Sequence, residues 1–127
     1  MQTVLVIEDE APIRNNLSRL LSAEGYDVIA AADGAGGIAT ARDRRPDLIV
    51  CDIRMPQVDG YKVLAALRDD PGTAAIPLIF LTASADRDER QRGLESGAHD
   101  YLTKPFRVQD LLEVVRKHLG GGTPEAR

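Results

Sequence analysis

The chain has 127 residues, enough for one hydrophobic core and too few for two ordinary ones, and its 43% hydrophobic, 28% charged and 4% aromatic residues are those of a folded domain with an aliphatic core. The 16 basic and 20 acidic side chains give a net charge of -4 and are interspersed, so no lysine or arginine run could follow a phosphate backbone and direct nucleic-acid binding is not expected. Nothing approaches the roughly 20 apolar residues that span a bilayer, Met1-Gln2-Thr3 carries no basic leader, and the lone Cys51 excludes an intrachain disulfide or a cysteine-based zinc site, so the expected location is the cytoplasm.

Five short apolar runs read as strands: Val4 to Ile7, Val28 to Ala31, Leu48 to Cys51, Leu78 to Leu81 and, more weakly, Tyr101-Leu102. They do not alternate with polar residues, which is the pattern of parallel strands covered on both faces. Between the first two, Ile13, Leu17, Leu20 and Leu21 make a helical stripe that opens at Pro12 and closes at Gly25. Gly34, Gly36 and Gly37 crowd the start of the second helix, and at about 0.5–1 kcal/mol each against alanine they predict a frayed segment. Val63, Leu64 and Leu67 mark a third helix. The fourth, Asp86 to Glu95, has Leu94 as its only large apolar residue and should be loosely anchored; Asp86 and Glu89 form a capping-box-like pair at its start. Val108, Leu111, Leu112, Val115 and Leu119 give the last helix a long apolar face ending at Gly120.

Strands alternating with helices imply right-handed crossovers and a doubly wound α/β sheet. Five such units suggest a flavodoxin-like sandwich with a five-stranded parallel sheet in the order 2-1-3-4-5. Residues 1–119 form the expected domain, and 120–127 read as a flexible tail or linker remnant.

In such sheets ligands bind beyond the carboxyl ends of the strands, at the point where strand order reverses. Glu8, Asp9 and Glu10 follow strand 1, Asp52 follows strand 3, Thr82 ends strand 4, and Lys104-Pro105 follow strand 5. Glu8, Asp9 and Asp52 would resist joint ionisation without a cation, and a hard divalent ion such as Mg²⁺ suits an oxygen donor set. An aspartate can also accept a phosphoryl group covalently when a metal and a lysine neutralise the incoming oxygens. Taken singly, the acidic residues could favour a helix N-terminus, Asp52 a turn, Thr82 a cap and Lys104 a solvated loop. Together, at successive strand ends, they point to a site. His99 reads as a loop residue and His118 as a helix-end cation.

With these motifs in place, the chain resembles the receiver domains of two-component response regulators over about Thr3 to Leu119. The matching segments are Glu8-Asp9, Asp52 with Met55-Pro56 and Gly60, Thr82-Ala83, and Lys104-Pro105-Phe106. The resemblance implies that Asp52 is the phosphoacceptor and Asp9 a direct Mg²⁺ ligand, that Glu8 acts mainly through metal-bound water, and that the Arg54 backbone carbonyl completes the protein's share of the coordination. It implies that Thr82 and Lys104 contact the phosphoryl group, that Lys104-Pro105 is cis, and that Thr82 and Tyr101 switch the face of helix 4, strand 5 and helix 5. The donor would be a sensor histidine kinase or histidine phosphotransfer protein, and the recipient of the signal a protein partner or output domain. A homodimer formed on phosphorylation is allowed. The only enzyme-like chemistry implied is the domain's own Mg²⁺-dependent phosphorylation and dephosphorylation. Arg54 and Ser84, each two residues beyond a motif residue, stand where the family tunes phosphoryl lifetime; the Arg54 side chain could pair with an acid or shield the phosphoryl group.

Competing readings fit less well. A haloacid-dehalogenase-like phosphatase would need an Asp-x-Asp nucleophile motif after strand 1, where this chain has Glu8-Asp9-Glu10. A flavin-binding module needs a hydroxyl- and glycine-rich phosphate loop there, and three acids would repel phosphate. A pseudo-receiver used only for docking would not need Asp9, Asp52, Thr82 and Lys104 together.

Overall fold

The computed structural model describes residues 1–83 and 87–119. Strands β1 (Thr3–Ile7), β2 (Asp27–Ala31), β3 (Leu48–Asp52), β4 (Leu78–Thr82) and β5 (Asp100–Thr103) alternate with helices α1 (Ala11–Ala23), α2 (Gly34–Arg44), α3 (Gly60–Arg68), α4 (Arg87–Glu95) and α5 (Val108–His118). The sheet is parallel throughout in the order β2-β1-β3-β4-β5, as the alternation of runs and stripes implies.

Successive residues of a strand face opposite layers, and the core divides accordingly. Leu5, Ile7, Ile49, Cys51, Leu78 and Phe80 pack against α2 and α3 through Ala41, Val63, Leu64 and Leu67. Val4, Val6, Leu48, Val50, Ile79 and Leu81 face α1 and α5 through Leu17, Leu21, Leu111, Leu112 and Val115. The central strands are therefore apolar at every position. Burial on both faces does not extend to β2, where only Ala31 is buried. Having β1 on one side alone, β2 is an edge strand and is covered less completely than an apolar run suggests.

The second helix is not frayed. Asp33 caps it by accepting the Gly36 amide at 2.6 Å, and a Cβ on Gly34 would overlap the Val58 backbone oxygen. The missing side chain lets α2 sit against the loop after β3, so close packing offsets the conformational cost of glycine. The fourth helix has little apolar anchoring. Leu94, its one large apolar residue, is 40% exposed, and the buried contact is made by Gly93, beside the Phe80 and Tyr101 rings. Arg92 lies 4.2 Å from the Tyr61 ring centroid and Arg90 lies 6.0 Å from that of Tyr101. Polar and cation-π contacts supply what apolar burial does not. Ser84, Asp86 and the 120–127 tail lie outside the described residues, and the Asp86 half of the expected capping box with them.

No described helix is long and apolar enough to cross a membrane.

Candidate functional site

Parallel register brings one end of every strand to the same edge. Ile7 pairs with Cys51, Asp52 with Leu81, and Thr82 with Thr103, so the residues that follow β1, end β3 and β4, and follow β5 converge. Each is held by backbone. The Glu8 amide donates to the Ala31 carbonyl at 3.1 Å, and the Lys104 amide to the Thr82 carbonyl at 2.6 Å. Asp52 is the last residue of β3, and the chain behind it is fixed by glycine. The Gly60 amide donates to the Ile53 carbonyl at 2.8 Å, and a Cβ on Gly60 would come within 2.7 Å of the Asp52 carbonyl oxygen and 2.8 Å of the Ile53 Cα. Asp59 then starts α3 by accepting the Lys62 amide at 2.9 Å. The turn between contains Gln57 at a φ of 67°, where the Val58 amide reaches the Pro56 carbonyl at 2.7 Å. That tight γ-turn is uncommon for a residue other than glycine.

Glu8, Asp52 and Thr82 are buried, Asp9 is more open, and carboxylate oxygens of Glu8, Asp9 and Asp52 lie within 4.8 Å of one another. The Lys104 ammonium sits between two of them, 3.0 Å from Glu8 Oε1 and 3.3 Å from Asp52 Oδ1. One lysine does not neutralise three carboxylates. Burial lifts the Glu8 carboxyl to about 7, outweighing the hydrogen bonds from Lys104 and the Glu10 amide. Burial raises Asp52 as well, against the attraction of Lys104 and with Asp9 adding to the rise. The ammonium is in turn stabilised in its charged form, because Glu8 and Asp52 outweigh its own desolvation. A clustered, incompletely neutralised set of oxygen donors fits a hard divalent cation.

Thr82, Lys104 and the three acids thus stand together at the carboxyl edge of the sheet. Tyr101, on β5, is also buried. The Lys104-Pro105 peptide is cis. The Arg54 side chain turns to α4, its guanidinium 3.2 Å from Glu89 Oε2, which answers one question the sequence left open: it pairs with an acid. Glu89 Oε1 accepts the Thr82 hydroxyl at 3.3 Å. His99 and His118 are remote from this group. His118 Nε2, at the end of α5, lies 2.8 Å from Asp100 Oδ2, and the His99 and His118 ring centroids are 6.0 Å apart, with His99 Nδ1 3.3 Å from the Arg68 guanidinium.

Two contributors carry no motif. Arg14 donates to the Glu8 carbonyl at 2.9 Å and the Asp9 carbonyl at 3.4 Å, tying the acidic loop to the first turn of α1. Glu89 is the other. The available signal was its place in the first turn after the Thr82 loop, which does not say where its carboxylate points.

The response regulator receiver domain model matches residues 4–116. The chain is 45% identical over 116 residues to the DNA-binding dual master transcriptional regulator RpaA of Synechocystis, covering 91% of this chain and 48% of that protein. It is 39% identical over 128 residues to the phosphate regulon transcriptional regulatory protein PhoB of Pseudomonas aeruginosa, covering 98% and 56%. The chain therefore spans about half the length of the curated relatives it matches. The receiver domain of the Francisella response regulator 1452 superposes with a TM-score of 0.89 at 31% identity, covering 97% of this chain and all of that one. A sensor histidine kinase receiver domain from Pseudomonas aeruginosa, with a magnesium ion coordinated in its active-site cleft, superposes with a TM-score of 0.87 at 32% identity, covering 94% and 98%. The name DNA-binding on RpaA partly conflicts with the expectation of no direct nucleic-acid binding, although this chain matches only part of that relative.

Proposed function

Because the chain belongs to the response regulator receiver domain family and is a phosphorylation-dependent signalling switch of two-component type, we propose that Asp52 is its phosphoacceptor, with Thr82 and Lys104 as the groups that contact the transferred phosphoryl. The observation that carries this reading is the Lys104 ammonium set 3.3 Å from the buried Asp52 carboxylate and 3.0 Å from Glu8. Residues 1–119 form the receiver unit, and residues 120–127 are its tail or linker.

The reaction is a displacement at phosphorus. An Asp52 carboxylate oxygen attacks, and the bond from phosphorus to the donor imidazole nitrogen breaks, its electron pair leaving on that nitrogen. The pocket's own residues prepare it. β3 and Gly60 hold the carboxylate in place, Lys104 offsets charge on the incoming oxygens, and the Thr82 hydroxyl offers a hydrogen-bond donor. Glu8, Asp9, Asp52 and the Arg54 carbonyl would hold Mg²⁺, Glu8 through water. When bound, the ion offsets charge on the transferring oxygens. The same residues would support hydrolysis of the acyl phosphate, so the domain promotes both its own phosphorylation and its own dephosphorylation.

A donor histidine must reach Asp52 beside Lys104. Pro12, Ile13, Asn16, Ala83, Lys104, Pro105 and Phe106 line a largely apolar groove there, about 590 Å³ in volume, suited to a helix of a sensor kinase or phosphotransfer protein. The output side is the face of α4, β5 and α5, read by a partner or an attached domain. Tyr101 is already inside, 6% exposed, so a change on this face starts from an inward ring.

Incubation with Mg²⁺ and acetyl phosphate tests the assignment. One phosphoryl group should be gained per chain by intact mass, and Asp52→Asn should gain none. Undiminished labelling of that variant would place the acceptor elsewhere.

A further inference from the structure

The hydrogen bond between Thr82 and Glu89 is not used by the phosphoryl-transfer reading. The Thr82 hydroxyl, 1% exposed, donates to Glu89 Oε1 at 3.3 Å. The other carboxylate oxygen, Oε2, takes the Arg54 guanidinium at 3.2 Å. Glu89 belongs to the first turn of α4, and Arg54 stands two residues past Asp52, so the carboxylate bridges the loop after β3, the end of β4 and the helix. A hydroxyl has one proton to donate. While that proton is given to Glu89, it is not given to a phosphoryl oxygen on Asp52.

The surroundings make the bridge consequential. Gly93 is the one buried residue among the described positions of α4, and among the described side-chain contacts of the helix are the polar and cation-π ones of Glu89, Arg90 and Arg92. Removing the Glu89 contacts takes away the described link between the first turn, the end of β4 and the loop after β3. The Arg54 side chain is 72% exposed and that of Glu89 19%, so the arginine end of the ion pair is open to solvent, which weakens the pair by screening. Such a clasp can hold α4 in one state and yield in another.

We infer that Glu89 is a positioning residue for phosphorylation of Asp52: anchored by Arg54, it keeps the Thr82 hydroxyl turned toward α4 until the phosphoryl group claims it, and the loss of that bond releases the first turn of the helix. This rests on Asp52 being the phosphoacceptor. The site and α4 are then linked through a single proton donor for which Glu89 and the phosphoryl group compete. Tyr101 need not swing for the helix to respond.

The test uses phosphoramidate with Mg²⁺ as the donor. An Asp52 oxygen forms the new P–O bond, the P–N bond breaks with its electron pair leaving on nitrogen, and the protonated nitrogen departs as ammonia. Glu89→Ala should raise the initial rate of phosphorylation about 3- to 10-fold, the scale of one ordinary intramolecular hydrogen bond. Glu89→Gln, which keeps an acceptor for Thr82 but loses the ion pair, should fall between. In a Thr82→Ala background the gain from Glu89→Ala should vanish; an equal gain there would mean that only the charge of Glu89 matters, and would overturn the inference. An unchanged or lower rate for Glu89→Ala would do the same. A second readout needs neither donor nor metal: amide hydrogen exchange in α4 should be faster in Glu89→Ala than in the parent. Arg54→Ala should accelerate it too, with no further effect once Glu89 is alanine. Failure of the parent protein to take up phosphate would refute the role of Asp52, whereas unchanged α4 exchange in Glu89→Ala would refute the clasp by itself.

Discussion

Lys104 and Glu8, 96 positions apart in sequence, meet at 3.0 Å, and the carboxylate they share the pocket with is Asp52, 3.3 Å from the same ammonium. Glu8 is completely buried, so this ion pair has little water to screen it. Its balance depends on pH and on metal.

Without metal, the Glu8 carboxyl titrates at about 7 in the folded chain against 4.5 as the ordinary value. The folded state then binds the proton more tightly than the unfolded state. Its contribution to stability is complete below 4.5 and is lost as pH rises through about 7, a loss on the order of 3 kcal/mol. Thermal melts in chelator should show Tm falling between pH 5 and 8. Because a divalent cation competes with the proton for Glu8, the rise in Tm caused by millimolar Mg²⁺ should be larger at pH 8 than at pH 6. Asp9→Ala should reduce that rise at both values.

Lys104→Met removes the ammonium and leaves Glu8 and Asp52 facing each other. Chemical denaturation at pH 8 should show a loss of about 1–3 kcal/mol, much of it recovered at pH 5, where the acids can take up protons instead. Phosphoryl uptake from acetyl phosphate should be lost at both. A variant as stable as the parent at pH 8 would show that the ammonium does not compensate the acids.

Gly60→Ala tests the backing of Asp52. The added Cβ would sit 2.7 Å from the Asp52 carbonyl oxygen and 2.8 Å from the Ile53 Cα. Both are backbone and cannot rotate away. The expected cost is about 1–3 kcal/mol by denaturant titration, with slower phosphorylation as β3 is displaced.

Asp33→Ala removes the cap that accepts the Gly36 amide at 2.6 Å. Equilibrium denaturation should register a loss of about 1 kcal/mol. Amide exchange should rise at the start of α2, in the residues that the glycines would otherwise leave frayed. Phosphorylation should be unaffected.

Arg68→Ala breaks a clasp at the far end of the sheet. Its guanidinium donates to the Ile76 carbonyl at 3.0 Å and the Gly97 carbonyl at 3.2 Å, joining the end of α3 to the approaches to β4 and β5. A destabilisation of about 1–2 kcal/mol is expected in urea titrations, with no change in the rate of phosphoryl uptake.

Much of the site was legible because its residues stand at the ends of apolar runs. Glu8, Asp52, Thr82 and Lys104 each follow or close a strand, and a parallel sheet gathers such positions at one edge whatever the loops do. The fates of Arg54 and Glu89 were not legible. An arginine two residues past the acid can turn toward the pocket or away from it, and its choice of Glu89 depends on where α4 lies. The glycine cluster at the start of α2 misled for a related reason. Intrinsic propensity counts the conformational cost of Gly34, whereas the contact with Val58 that offsets it exists only once the β3 loop is folded beside the helix. The thin apolar anchoring of α4 was legible from Leu94 standing alone, but not which face meets the sheet: Gly93 fits beside Phe80, and Leu94 is left outside.

The sequence by itself determined the alternation of strands and helices, the parallel sheet and the set of groups that meet at its edge, because these depend on apolar periodicity and on the chirality of crossovers. Only the tertiary structure decided how the charges are shared. Lys104 stands between Glu8 and Asp52, Arg14 holds the acidic loop by its carbonyls, and Glu89 sits between Arg54 and Thr82. Those pairings rest on distances of about 3 Å between side chains from remote segments, and local sequence does not encode a rotamer that only a packed neighbour selects.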